Sequence, residues 1–219
     1  MKGIVLKGKK NYWLAAIIII AIASTCLFIF QPFNTSSHLD GTQEEKEYDA
    51  LQIKAKWQQI LENSQQQPPY SLACQKVVRL AQYRMKMAGR EAIYDCLSDS
   101  RQVLTSPTAA MMMSDLYLQL GMTNMAQRAA FEAMVKTHDA KDNGRALRRL
   151  TETAIITGQY GLALKYISLL ENYRTHRKWA REMRKIAEHP ELLHQKPTYQ
   201  LLINFLKKNN NRINYLKAI

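Results

Sequence analysis

Three short segments share one pattern: AKWQQI at 55–60, GMTNMA at 121–126 and GQYGLA at 158–163. Each opens on a small residue suited to ending a helix, and each carries Ala or Ile five positions later. GREAIY at 89–94 fits more loosely. The opening positions Ala55, Gly89, Gly121 and Gly158 stand 34, 32 and 37 residues apart. Glycine at such a position takes the left-handed conformation that terminates a helix at little cost. The spacing between hinges leaves room for two helices and a turn, so a helical hairpin is expected to recur.

The flanking residues agree. Apolar side chains fall 11, 8 and 4 positions before three of the hinges: Val78, Ala81 and Met85; Ala110, Met113 and Tyr117; Leu147, Leu150 and Ala154. That spacing is one helical face. After the hinges come Ala126, Ala130 and Ala133, then Ala163, Ile167 and Leu170, small or aliphatic residues that let a second helix lie close to the first. Glycine and proline are scarce, at 8 and 6, and no alternating β-branched run follows residue 41. The expected fold class is all-α, with a helical-repeat domain over 44–189 and a helical extension over 190–219. A two-helix period near 34 residues resembles the tetratricopeptide repeat. The bulky aromatic early in the first helix and the closing prolines of that repeat are missing here. A generic antiparallel bundle is the competing architecture.

The N-terminus has a different character. Tyr12 to Phe30 runs 19 residues without a charge. As a helix it would span roughly 28 Å, close to the hydrocarbon thickness of a bilayer. Tyr12, Trp13, Phe30 and Phe33 bracket it as interfacial aromatics do. Lys2, Lys7, Lys9 and Lys10 precede it, and an acidic stretch follows. The expectation is a basic cytoplasmic tail over 1–11, one membrane span over 12–30, a linker over 31–43, and a C-terminal domain across the membrane. Ala21-Ile22-Ala23 also has the look of a signal-peptide cleavage site. Cutting there would leave LFIF (27–30) as an apolar stub, which favours an uncleaved anchor. A lipoprotein reading at Cys26 meets the same objection.

Charge is unevenly spread. The formal net charge is +13, yet residues 38–139 carry 11 basic and 12 acidic side chains, while residues 140–219 carry 16 and 6. An anionic partner is therefore to be sought in the C-terminal third. The helix over 173–189 places Arg174, Arg177, Lys178, Arg181, Arg184 and Lys185 on one side and Trp179, Met183 and Ile186 on the other. Such a face suits solvent, anionic lipid headgroups or an acidic protein. Nucleic acid is disfavoured by the expected topology and by thin aromatic interleaving.

Catalytic patterns do not emerge. The five histidines are scattered, with no i, i+4 pairing of the kind a helical zinc site needs. There is no phosphate-binding glycine loop and no nucleophile elbow. Met111–Met113 reads as a core stripe with one exposed methionine. Cys74 and Cys96 would sit roughly 12 Å apart in level along a hairpin turning at Gly89, too far for a disulfide. No cofactor, no metal and no turnover are expected.

The run from MSDLYLQLGMTNMAQRAAFEAM (113–134) through GRALRRLTETAIITGQYGLALKYISLL to RKWAREM (177–183) resembles the soluble tail of an uncharacterised Bacteroides-type membrane-protein family of unknown function. The likeness covers roughly residues 48–190. It implies several membrane spans followed by a helical tail, of which this chain shows one span, and it supplies no activity. The tetratricopeptide resemblance implies that the first helices line a concave groove. Lys76, Arg79, Tyr83 and Lys86, then Met111 and Asp115, then Arg145, Arg148 and Arg149 would point into it and suit a carboxylate-rich peptide. Where chaperone-binding relatives place asparagines this chain has Tyr83 and Met112, so their terminal-carboxylate clamp is not expected. The function expected is that of a bacterial inner-membrane, single-pass scaffold for protein–protein interaction. The alternative is a basic-helix module binding anionic lipid or another polyanion.

Overall fold

The computed structural model describes residues 42–89, 91–93, 97, 103–137 and 143–217, with side chains up to Lys208 apart from those of 194 and 195. The expected tail, span and most of the linker, at 1–41, lie outside the described residues. So do Cys26, Cys96, His38 and His138. No described helix is long and apolar enough to cross a membrane.

Helices α1 (Gln43–Ile53) and α2 (Trp57–Gln66) form the first hairpin, and α3 (Leu72–Arg84) follows. Next come α4 (Pro107–Gln119) with α5 (Thr123–Lys136), then α6 (Gly144–Ile156) with α7 (Tyr160–Leu170). Helix α8 (Arg177–Glu188), a 3₁₀ turn (Pro190–Gln195) and α9 (Pro197–Lys217) complete the order. Among the described residues every element is helical, as composition and periodicity led us to expect.

The four hinges are built alike. Ala55 (φ 51°), Lys86 (φ 59°), Gly121 (φ 79°) and Gly158 (φ 76°) take the left-handed conformation. In each, the next residue's N–H reaches five residues back: Lys56 to Leu51, Met87 to Gln82, Met122 to Tyr117, Gln159 to Ala154, at 2.8–2.9 Å. The hinge N–H itself reaches three back, as Gly121 to Leu118 at 3.0 Å. This is the Schellman pattern, which satisfies the last carbonyls and stops the helix. The second hinge is therefore Lys86, not Gly89 as the sequence suggested. A chemically unsuited residue holds the conformation because the tertiary fold selects it. The α3 face is corrected too: Met85 is a C-cap exposed to solvent, Val78 is only partly buried, and the buried apolar side is Ala73, Cys74, Val77, Leu80 and Ala81.

Three apolar clusters follow one another along the chain. Tyr48, Ile60, Val77, Leu80, Met112 and Leu116 join α1–α4. Ala110, Met111, Ala130, Ala133, Ala146 and Leu150 join α4, α5 and α6. Leu147, Ile155, Ala163, Ile167, Leu170, Met183 and Ile186 join α6, α7 and α8. Alanines dominate the middle cluster, which brings three helices close together. All of Met111–Met113 is buried, so no methionine there is left exposed.

One contact departs from a simple stack. Helix α1 packs on α4 as well as on its neighbours α2 and α3. Glu45 fixes this joint. Its carboxylate is buried and closes a capping box with Thr42, while accepting from Ser71 Oγ (2.8 Å) and Ser106 Oγ (2.7 Å), the N-caps of α3 and α4. Glu44 adds bonds from the Tyr70 and Ser71 N–H groups at 2.9 and 2.8 Å. Negative charge is thus placed at three helix N-termini, where orphan donors and the helix dipole favour it. Cys74 is a free, buried thiol, and burial pushes its pKa up.

Two consequences of the hinge geometry can be measured. Relieving the left-handed strain with Ala55→Gly or Lys86→Gly should stabilise the domain by about 0.5–1 kcal/mol each, and Gly158→Ala should cost about 1 kcal/mol. Urea unfolding followed by circular dichroism reads both; a loss of stability in Lys86→Gly would contradict the hinge assignment.

Candidate functional site

Three first helices present a carboxylate six residues before their hinge: Asp49 before Ala55, Asp115 before Gly121 and Glu152 before Gly158. In α3 the same place is Leu80, a core residue. That omission matches the packing of α1 directly on α4, so α1, α4 and α6 line up their carboxylates on one face.

Arginines from the first half of α6 interleave with them. Arg145 bonds Asp49 through both terminal nitrogens (2.6 and 2.8 Å) and Asp115 at 2.6 Å. Arg149 is paired with Asp115 and, at 2.7 Å, with Glu152. The result is a continuous ladder, Asp49–Arg145–Asp115–Arg149–Glu152. Charge-assisted forks of this kind hold both geometry and spacing. Burial raises the Asp49 pKa against the opposing pull of Arg145. Burial alone would lower the Arg145 pKa, yet its bond to Asp49 and the charge of Asp115 carry it upward.

Arg148 is different. It makes one long contact to Glu152 at 3.5 Å, lies 4.7 Å from the centroid of the Trp179 ring, and is 45% exposed. Such stacking holds a guanidinium while leaving its edge free to meet a ligand. Beside it, His176 meets Tyr173 edge-on at 6.3 Å between ring centroids, and its pKa is lowered by burial and by Arg148. Gln52, at the end of α1, donates to the Met112 carbonyl at 3.0 Å. Gln52, Arg148, His176 and the ladder residues Arg145, Asp115, Arg149 and Glu152 line an open cavity of about 490 Å³ that also takes Ile53, Leu118 and Gln119.

The structure brings together only part of the residue set expected to line a groove. Arg145, Arg148 and Arg149 do meet Asp115 on one surface. The α3 group does not join them. Lys76 is buried. Arg79, with Lys76, lines a separate shallow cavity between α2 and α3. Tyr83 packs on the core, and Lys86 is the hinge itself. Met111 is buried in the middle cluster rather than lining the groove. A second correction concerns charge. Three arginines meet three carboxylates, so the groove is internally neutralised and offers little to a carboxylate-rich peptide. Sequence reading named Asp115 but missed Asp49 and Glu152; their common offset from the hinge was the available signal.

The basic face on and before α8 fares better. Arg174, Arg177, Lys178, Arg181 and Lys185 are exposed and enter none of the ion pairs among the described residues. Arg177 donates to the Glu171 carbonyl at 2.8 Å, closing the end of α7. Arg184 is drawn into the structure, bonding Glu171 at 2.8–2.9 Å, and that bond lowers the Glu171 pKa. Met183 and Ile186 face the core as the helical spacing predicted, joined by Ala180, whereas Trp179, expected beside them, is only partly buried and lies under Arg148. Among the described residues no group of His, Cys, Asp or Glu is arranged to hold a metal ion.

The ladder and the free arginine should separate in mutants. Asp115→Ala strands two partly buried guanidinium groups and should cost about 2–3 kcal/mol, whereas Arg148→Gln should change stability by less than about 0.5 kcal/mol. Equal costs in urea unfolding would refute the distinction. The folded state also resists protonation of His176. Its contribution is intact above the ordinary value of 6.5 and is lost as pH falls below it toward the lowered value. Urea midpoints between pH 7.5 and 5.5 should therefore fall less steeply in His176→Gln.

Comparisons with known proteins add a single positive finding. No curated protein and no solved structure matches. A family model described as a family of unknown function, DUF6057, matches residues 4–217, which takes in the apolar run at 12–30 as well as every helix described above. The chain belongs to that family of unknown function, DUF6057.

Proposed function

We propose that this protein is a non-catalytic, membrane-tethered scaffold whose tetratricopeptide-like hairpins dock a protein partner in the groove formed by α1, α4 and α6. The observation that carries this reading is the open cavity framed by a self-neutralised ion-pair ladder, with Arg148 beside it, stacked and half exposed. A frame rigid before binding lowers the ordering cost of association. The partner suited to it is neutral or amphipathic, offering one acceptor group to Arg148, rather than an acidic peptide. The run at 12–30 serves as the tether, with the N-terminus cytoplasmic and the hairpins in the periplasm of a bacterial cell; the basic-apolar-acidic order of the sequence supports that orientation.

A second reading rests on a separate observation. Apart from Arg184, the cations of α8 stay exposed, while Arg145 and Arg149 of the groove are consumed internally. In this reading α8 engages anionic lipid headgroups, each cation near the surface adding about 1 kcal/mol.

The two readings part under test. Crosslinking in native membranes followed by mass spectrometry should recover a partner with the unaltered chain and lose it with Arg148→Gln, helicity being unchanged; recovery undiminished by that substitution defeats the groove reading. Residues 42–219 should sediment with anionic vesicles at low salt, and Lys178→Glu with Arg181→Glu should abolish this, if the lipid reading holds. A periplasm-active reporter fused after Ile219 tests the topology.

A further inference from the structure

Helix α9 does not extend the stack. The 3₁₀ turn Pro190–Gln195 redirects the chain, and α9 packs on that turn and on α6, two helices back from α8. Three contacts seat it. Tyr199 donates its hydroxyl to Glu152 Oε1 at 3.2 Å, the carboxylate at the end of the groove ladder. Tyr199 and Ile203 pack against the cluster that joins α6, α7 and α8. Phe205 reaches the hinge between α4 and α5, where a Cβ on Gly121 would lie 2.6 Å from its ring. At Gly158, with the same left-handed backbone, nothing lies within 4 Å.

The seat is shallow. Every earlier α-helix of the domain has buried side chains, but none from Pro197 to Lys208 is buried, and Leu201 is 70% exposed. Helix α9 carries Lys207, Lys208, Arg212 and Lys217 and no acid; among its described side chains the docking contacts include the apolar packing of Tyr199 and Ile203 and the hydrogen bond to Glu152. Elements with so little buried surface open at a small fraction of the global unfolding free energy.

We propose that α9 is a self-docked strap. It is seated by Tyr199 on Glu152 of α6 and by Phe205 at the α4–α5 hinge, beside the open cavity, and an amphipathic helix of the protein partner that enters the cavity and continues over these two contacts releases it. The inference rests on the groove reading of the proposed function and names the partner class: a helix with an aromatic side chain on an apolar stripe. Being tethered, α9 competes at a high effective concentration, so it screens out weak binders.

Hydrogen exchange and binding on the full chain test this. In the unaltered chain, amides of α9 between 199 and 208 should exchange at least 100-fold faster than those in the middle of α6. Gly121→Ala and Gly158→Ala carry the same backbone strain, but only the first displaces Phe205. Gly121→Ala should therefore speed α9 exchange at least 10-fold beyond Gly158→Ala. A fluorescein-labelled peptide of residues 197–217 should bind Phe205→Glu at least 10-fold more tightly than the unaltered chain, and Leu201→Glu should behave as the unaltered chain. Exchange of α9 in step with α6, or equal effects of the two glycine substitutions, would overturn the strap. A strap that opens in these assays with no partner crosslinked in membranes defeats the groove reading alone. A partner recovered by a chain whose α9 stays shut defeats the strap alone.

Discussion

A helix that ends in a Schellman pattern has its last carbonyls satisfied by its own hinge, and the chain leaves at a set angle. Four such endings, at Ala55, Lys86, Gly121 and Gly158, impose that geometry here. At Ala55, Gly121 and Gly158 the following helix turns back on the one before, and each of these hairpins leaves an apolar flank that its neighbour covers. The succession of three clusters, each sharing helices with its neighbour, is the packing consequence. Removing the left-handed residue would let a helix run on, and the flank would meet water.

The same hinges set the electrostatics. Because α1, α4 and α6 each carry a carboxylate six residues before their hinge, the three recur at the same level. Asp49, Asp115 and Glu152 come into register, and Arg145 and Arg149 bridge them. The ladder neutralises charges that a count of residues would assign to partner binding. What remains available is Arg148 over Trp179, and the outward cations of α8. Net charge in the C-terminal third is thus a poor guide to where an anion would bind, since paired arginines contribute to the total but not to the surface.

Reading the sequence succeeded where a local rule acts alone. The hairpins at Gly121 and Gly158 were visible because glycine tolerates positive φ. The buried stripe Ala126, Ala130, Ala133 and the α8 face Met183, Ile186 were visible because helical period decides them. It failed at Lys86, where no residue type announces the left-handed conformation and Gly89 nearby offers a decoy. It failed also for α1, whose packing on α4 depends on Glu45 reaching Ser71 and Ser106, bonds formed across 26 and 61 residues of sequence. Lys76, placed in the groove by the tetratricopeptide resemblance, is instead buried in α3.

Local chemistry in the sequence determined that the described chain is helical, roughly where hairpins turn, and which side of α8 is cationic, because propensity, period and turn residues act over a few positions. Tertiary structure alone decided which arginines stay exposed, that α1 packs on α4 as well as on α3, and that α9 folds back to place Phe205 against Gly121. Those outcomes depend on side chains tens of residues apart competing for the same partners in space, and no short-range pattern records who wins.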